Sequence, residues 1–393
     1  MKKKLVISNI VLLGLVSLFI DMSTEMVYPL IPVFLITTLG ATPAIVGIIE
    51  GIAESTASLL KVFSGYIGDV YQNKKRLTLI GYSASVIYKL LLLVSFSWVG
   101  VLFARFIDRT GKGIRTAPRD ALVADSCHPG KLGSSFGLHK MMDMAGSAIG
   151  AALAMVFMII GISFQGAFIY AIIPAVIGIL IIPAVREAKC PPENLPKLSL
   201  KGLRLDRRLK EYLVIVFIFC LGNSSNVFLL LKARDSGFEV PQVMMLYLIF
   251  NISASLLAFP AGKLSDRFGR SRVLVPAYLI FGLVYIGFAL LTSEVSIIVL
   301  FILYGAYTAM SSGAERAFIA EAAPANYKGT VLGLYGMLQG IGLLFSSIIA
   351  GILWETAGPA APFWLGGIIA ILCAAAIAFV LNKNRWIKKG LTV

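Results

Sequence analysis

Histidine is nearly missing from this chain of 393 residues, with two copies, and cysteine is scarce, with four. Cys127, Cys190, Cys220 and Cys373 share no pair spacing, so neither a disulfide framework nor a metal cluster is expected. With only His128 and His139 present, histidine chemistry has little room. No Ser/His/Asp set, cofactor motif or ATP-binding motif is present, so the sequence predicts no enzyme and no cofactor. Charge is also short, at 14% of residues against 58% hydrophobic. A soluble fold has too little interior to hide that share of apolar surface, whereas lipid accepts it.

What the chain has in quantity is apolar sequence in runs long enough to span. Apolar segments fall at about 6–36, 43–68, 77–98, 99–124, 132–160, 164–185, 210–232, 241–264, 272–292, 294–322, 329–354 and 360–382. About 20 residues cross the hydrocarbon core as a helix, and the short alternation of a barrel strand is missing. The expected fold class is an all-α membrane protein with twelve transmembrane helices in two six-helix, pseudo-symmetric bundles. Met1 to Lys4 followed by an apolar run imitates a signal peptide. No small-residue cleavage site follows, so an uncleaved first helix is expected. Ser95 to Trp98 and Thr292 to Glu294 are loops short enough to make neighbouring helices antiparallel.

The net charge of +15 raises the possibility of nucleic-acid binding. The basic residues instead punctuate the apolar segments in a positive-inside pattern. One side holds Lys2 to Lys4, Lys74, Lys75, Arg76, Lys131, the Arg186–Lys210 linker, Lys263, Arg267, Arg270, Arg272, Lys328 and the tail Lys383, Arg385, Lys388 and Lys389. The other side holds little beyond Lys232 and Arg234. A multi-pass protein of the cytoplasmic (inner) membrane is expected, with both termini and the linker cytoplasmic. The expected partners are the bilayer, a small-molecule substrate and protons, with no nucleic acid and a monomeric chain.

The Pro- and Lys-rich linker divides the chain into an N-terminal bundle (1–186), a linker (187–208) and a C-terminal bundle (209–393). Internal repeats support the division. Gly65, Gly68 and Asp69 recur as Gly262, Ser265 and Asp266. Ala124, Asp125, Gly133, Gly137 and Leu138 recur as Ala320, Glu321, Gly329, Gly333 and Leu334. Such parallel repeats carry their sites near mid-membrane.

At these loops the sequence resembles the major facilitator superfamily, over essentially the whole chain. The family pattern between the second and third helices of each half is Gly, three residues, Asp, a basic residue, any residue, Gly and basic residues. Gly262, Asp266, Arg267, Gly269, Arg270 and Arg272 match it. The first copy has Gly65, Asp69, Val70, Asn73 in the later glycine position, then Lys74, Lys75 and Arg76. The Asp can serve a helix N-terminus and the base can pair with an acid at another helix end. A conformational latch is therefore expected from Gly65, Asp69, Arg76, Arg119, Asp120, Asp125, Gly262, Asp266, Arg267, Gly269, Arg270, Glu315, Arg316 and Glu321.

The fourth segment carries Arg105, Asp108, Arg109, Lys112, Gly113, Arg115, Pro118, Arg119 and Asp120. Its bases recur at steps of three and four, which puts them on one helix face. Its start is similar to the superfamily's fourth-helix motif, whose Arg has a proton-coupling role in the antiporter branch. Asp21 and Glu25, Glu50 and Glu54, and His139, Lys140 and Asp143 supply charges on other helices. A charge at mid-membrane costs about 2.5–3.5 kcal/mol on insertion scales, so these groups must face water or one another. The expected proton-coupling network is Asp21, Glu25, Glu50, Glu54, Arg105, Asp108, Arg109, Lys112, Arg115 and Asp143.

The C-terminal half offers amides where the first half offers carboxylates. Residues 222–226 stand at the place of Asp21–Glu25, and Asn251 stands for Glu54. The expected substrate contacts are Arg109, Arg115, His139, Asn223, Asn226, Asn251, Tyr304 and Gln339. Gly146 and Gly150 on the fifth segment resemble the antiporter motif, with Ala151 where its Pro would stand. Together these features imply a secondary active transporter of a small, anionic organic solute, working by alternating access and coupled to protons, with export the favoured direction. An uptake symporter is the alternative, and a membrane receptor or scaffold is the rival of another class.

Overall fold

A computed structural model describes residues 2–41, 43–128, 130–187 and 205–389. All its regular elements are helical. In chain order they are α1 (Lys2–Glu25), α2 (Leu30–Thr37), α3 (Pro43–Tyr71), α4 (Lys74–Leu93), α5 (Trp98–Asp125), α6 (Leu132–Ile159) and α7 (Phe164–Ile181). There follow α8 (Arg207–Gly222), α9 (Asn226–Asp235), α10 (Val240–Phe268), α11 (Ser271–Leu290), α12 (Glu294–Ala322), α13 (Lys328–Ala357) and α14 (Ala361–Lys389). Among the described residues, nine spans are long and apolar enough to cross a membrane by length and composition: α4, α6, α7, α8 with α9, and α10 to α14. Outside that set, α1, α3 and α5 have 24, 29 and 28 residues. The α5 sequence holds eight charged residues, which explains its lower hydropathy.

Two segments read as single runs in the sequence are broken. The run over 6–36 consists of α1, a turn and α2. Pro29 has no N–H to donate to the Glu25 carbonyl, so the helical ladder stops there. The run over 210–232 consists of α8 and α9, separated by Asn223 to Ser225. Asn223 leaves helical geometry at φ −96° and ψ 83°, and the Ser225 hydroxyl accepts from the Val227 N–H at 3.4 Å to start α9. The freed Asn223 carbonyl accepts from the Ser346 hydroxyl at 3.0 Å, so the break leaves that group satisfied.

The chain forms two compact units: residues 1–128, 138–203 and 324–337, and residues 129–137, 204–323 and 338–393. In the first, α5 packs on α3 and α4, and α7 on α1 and α4. In the second, α12 packs on α10 and α11, and α14 on α11 and α8. The packing pattern is the same in both units, as expected of duplicated sequence.

Their interiors differ. The first unit buries Lys89, Arg105, Asp108, Arg109, Arg115, Arg119 and Asp120. The second is packed with rings: Phe219 stacks on Tyr278 at 3.9 Å between centroids and Phe281 on Tyr285 at 4.0 Å, with Tyr304 and Tyr307 beside them. Such rings supply large apolar area with a hydroxyl at one end.

Candidate functional site: the charged interior of the first unit

The basic residues of α5 fall into two clusters. In the first, Arg109 Nη2 meets Glu54 Oε1 of α3 at 3.0 Å, and Lys112 Nζ stands 3.9 Å from the same oxygen. Arg105 Nη1 lies 3.8 Å from Asp108 Oδ2. Tyr28, at the break between α1 and α2, turns its ring to both guanidiniums, with centroid distances of 5.3 Å to Arg105 and 5.9 Å to Arg109. The helix break thus places an aromatic face against two cations. Glu25 sits close by, within electrostatic reach of Arg109, Lys112 and Arg105. Gly150 of α6 makes room for it, since a Cβ there would lie 2.9 Å from the Glu25 Cβ. The small residues of α6 therefore bring it onto the acid-bearing part of α1.

In the second cluster, Ser17 Oγ is 3.2 Å from Asp21 Oδ2 and 3.0 Å from Asp143 Oδ1. A hydroxyl has one hydrogen to donate, so it serves one carboxylate at a time. Lys140 Nζ pairs with Asp143 at 2.8 Å. Arg119 donates to Asp120 Oδ1 at 3.1 and 2.9 Å from Nε and Nη2, and to Ser17 Oγ and Tyr82 OH at 3.4 Å from Nη1. Arg115 lies over the Tyr82 ring at 4.6 Å and donates to the Gly81 carbonyl at 3.3 Å. Fully buried Lys89 donates from Nζ to the Ser85 carbonyl and hydroxyl at 3.0 and 2.9 Å.

Paired contacts at helix starts form a third feature. Asp69 accepts from the N–H groups of Gly329 and Thr330 at 3.2 and 2.7 Å and from the Thr330 hydroxyl at 2.9 Å. Within the second unit, Asp266 accepts from Gly133 and Ser134 N–H, both at 2.7 Å. Lys74 joins Asp69 (3.4 Å) to Asp125 (2.8 Å), and Arg270 joins Asp266 (2.7 Å) to Glu321 (3.3 Å). Each carboxylate meets the unpaired N–H groups and positive end of a helix start. The turn before each base has a positive φ, 94° at Gly269 and 51° at Gln72. Gln72, rather than Asn73, therefore holds the place of the glycine in the first copy.

A profile of the Major Facilitator Superfamily matches residues 13–232 and 212–390. The chain belongs to that superfamily. An uncharacterized MFS-type transporter of Methanocaldococcus jannaschii is 36% identical over 382 residues, covering 95% of this chain and 94% of that one. The multidrug resistance protein MdtH of Yersinia pestis is 22% identical over 380 residues, covering 94% and 93%. Among solved structures, the human organic anion transporter MFSD10 superposes with a TM-score of 0.82 at 15% identity, covering 94% of this chain and 98% of that one. At that identity the likeness shows the fold alone. As a member of the superfamily the chain is a multi-pass membrane transporter of small molecules and not an enzyme.

Within this superfamily member, the structure brings together most of the charges singled out in the sequence. Asp21 and Asp143 meet through Ser17, and Glu54 meets Arg109 and Lys112. The Glu50 side chain lies outside the described residues. His139 is fully buried on α6. Arg119 and Asp120, grouped with the latch on sequence, are instead buried beside Ser17 and Tyr82. Glu315, in the same group, accepts from the Tyr278 hydroxyl at 2.8 Å inside the second unit. Arg316 is half-buried beside it, and exposed Arg267 turns to the Phe268 ring at 5.3 Å. Arg76 is exposed, and the base that joins the two acids of the first copy is Lys74.

Of the amides in the second unit, Asn223 donates to Tyr307 OH at 3.4 Å and Asn226 accepts from Tyr304 OH at 2.8 Å. Asn251 donates to the Tyr247 carbonyl of its own helix at 2.8 Å, and Gln339 is half-buried on α13. Several participants are not named by the sequence, Tyr28 and Tyr82 among them. Lys89 had a signal, a lone lysine within an apolar run. Ser17 had none. Glu187 accepts from the N–H groups of Lys74 and Lys75 at 2.8 and 3.2 Å, at the start of α4, and only the fold brings it there.

Proposed function

We propose that this transporter is a proton-coupled carrier of a small organic solute with an anionic group. Its twelve spans would form two six-helix halves, 1–186 and 209–393, that alternate access around a mid-membrane site. The observation that carries the reading is the α5 charge cluster: Arg109 and Lys112 share a single carboxylate, Glu54, with Glu25 nearby. Cations that share an internal acid are suited to exchanging it for a substrate anion through charge-assisted hydrogen bonds. The neighbouring carboxyls offer places for the proton. Arg115 supports the site from the next turn of α5, and Asn223, Asn226, Asn251, Tyr304 and Gln339 are the proposed neutral contacts of the other half.

The paired carboxylates Asp69 and Asp266 act in this reading as latches on the helix starts they hold, and their release accompanies the change of access. A monomer in the cytoplasmic membrane, with both termini cytoplasmic, completes the proposal. Resistance transport in MdtH would favour export, as do the α6 glycines. Direction depends on whether solute and proton bind together or in competition.

Purified chain in proteoliposomes with an imposed pH gradient tests the carrier. Internal solutes drawn from a metabolite mixture are measured by mass spectrometry. At least one solute should accumulate with the gradient, or be depleted by it, and Arg109→Ala and Arg115→Ala should abolish the change. A gradient without effect on any solute, or variants that transport as the parent does, would overturn the reading.

A further inference from the structure

Glu54 and Lys112 are charged, yet 43% and 40% of their side-chain surfaces are open, while that of Arg109 is 6% open. Their openness is not toward lipid. The exposed apolar stripe of α3 is Ile52, Leu59, Phe63 and Ile67, and Glu54 stands about 200° round the helix from Ile52. Past Trp98 at its first position, the exposed apolar residues of α5 are Val99, Phe103 and Phe106, and Lys112 stands about 240° round from Phe106. Glu54 is held firmly by Arg109 at 3.0 Å and loosely by Lys112 at 3.9 Å. The carboxylate is therefore an internal occupant of a two-cation site that an external anion can contest.

We propose that a solute carboxylate binds Arg109 and Lys112 by displacing Glu54, and that Glu54 takes a proton as it is displaced, so that anion and proton travel together. The inference rests on the carrier reading above and adds the sign of its coupling. Arg109, Lys112 and Arg105 of α5 face Glu54, with Lys61 further along α3. Glu25 of α1 acts on the same Arg109 and Lys112, and Asp108 on Arg105.

An anion alone adds one negative charge beside two carboxylates. A proton alone removes the partner of Arg109 and leaves Glu25 as the one carboxylate against two cations. Anion and proton together leave the site's charge as it was when empty. Buried charge imbalance is costly in the membrane interior, so the empty and the doubly occupied states are the ones suited to changing access. Binding of one then strengthens binding of the other, reciprocally. A cationic solute would give the opposite sign, because it would bind Glu54 itself and compete with the proton. Co-binding means co-transport, which an inward proton gradient drives inward. The charge geometry thus argues for uptake over the exchange suggested by the α6 glycines.

The test uses full-length protein in nanodiscs and three probes, benzoate, succinate and methylammonium, at constant ionic strength. Thermal midpoints are followed against probe concentration at pH 6 and pH 8, since a ligand of the folded state raises the midpoint. For at least one carboxylate, the apparent affinity at pH 6 should be about 5-fold or more that at pH 8. Glu54→Gln, which keeps size and removes the competing charge, should bind it at both pH values as the parent does at pH 6. Lys112→Ala should lose the response while its thermal midpoint without probe stays at the parent's. Stabilisation by methylammonium that weakens at pH 6 would overturn co-binding and leave the proton-coupled carrier standing. A carboxylate response equal at both pH values, or unaltered in Glu54→Gln, would also overturn the inference. No response to either carboxylate in the parent and in Glu54→Gln would overturn the anion site itself.

Discussion

Tyr82 and Tyr278 occupy equivalent places in the two repeats and serve opposite charges. Tyr82 OH lies 3.4 Å from Arg119 Nη1, and Tyr278 OH donates to Glu315 Oε1 at 2.8 Å. One hydroxyl manages both because it accepts as well as donates. The consequences of removing it differ. Arg119 keeps two bonds to Asp120 and one to Ser17, whereas Glu315 is a 4% exposed carboxyl that loses its tyrosine donor. A hydrogen bond to a charged group contributes about 1.5–3 kcal/mol, and the 2.8 Å bond to Glu315 is the stronger of the two. Tyr278→Phe should therefore lower the thermal midpoint in a fixed detergent clearly more than Tyr82→Phe. Equal shifts would remove the distinction.

At the scale of elements, the informative parts are helix ends and helix breaks. Asp69 holds the start of α13 and Asp266 the start of α6. Each serves N–H groups that a helix cannot satisfy internally. Asp69→Asn should speed hydrogen exchange at the amides of Gly329 and Thr330 and leave those of Gly133 and Ser134 unchanged. Asp266→Asn should do the reverse. Exchange that rises at both starts in either variant would mean that the two contacts are not independent. The breaks have a different use. The one after α1 turns Tyr28 toward Arg105 and Arg109, and the one after α8 turns Asn223 and Asn226 toward Tyr307 and Tyr304. Irregular backbone at membrane depth is tolerated where it is buried in protein or lines a cavity, and here it positions polar side chains.

For the whole molecule, duplication gave one packing pattern and two interiors, α3–α5 and α10–α12 being the same pair twice over. The charge bias of the loops sets the expected orientation. Lys131 and Arg234 are both exposed and stand on opposite sides of that bias. A chain with its four native cysteines replaced by serine can carry a single reporter cysteine in place of one or the other. A membrane-impermeant maleimide should label the first only from the cytoplasmic side and the second only from the opposite side. Labelling of both from one side would overturn the orientation. The carrier reading is tested at this scale too, by the loss of gradient-driven solute movement in Arg109→Ala and Arg115→Ala.

The sequence by itself determined the class of the protein, its all-helical character and its family. Those follow from composition, from apolar length and from the loop motif around Asp266, which are all local properties of the chain. It also located the charges, because a Glu or Arg inside an apolar run is conspicuous wherever it points. Only the tertiary structure decided which charge meets which. Asp21 and Asp143 are far apart in sequence and share Ser17; Arg119 lies with Tyr82 and not at a latch; Lys74, not Arg76, bridges Asp69 and Asp125. The reason is geometric. Helical periodicity fixes a side chain's face on its own helix, but the face opposite it comes from packing between helices distant in the chain. That packing set Glu54 between one firm cation and one loose one, and the proposed sign of coupling rests on that arrangement.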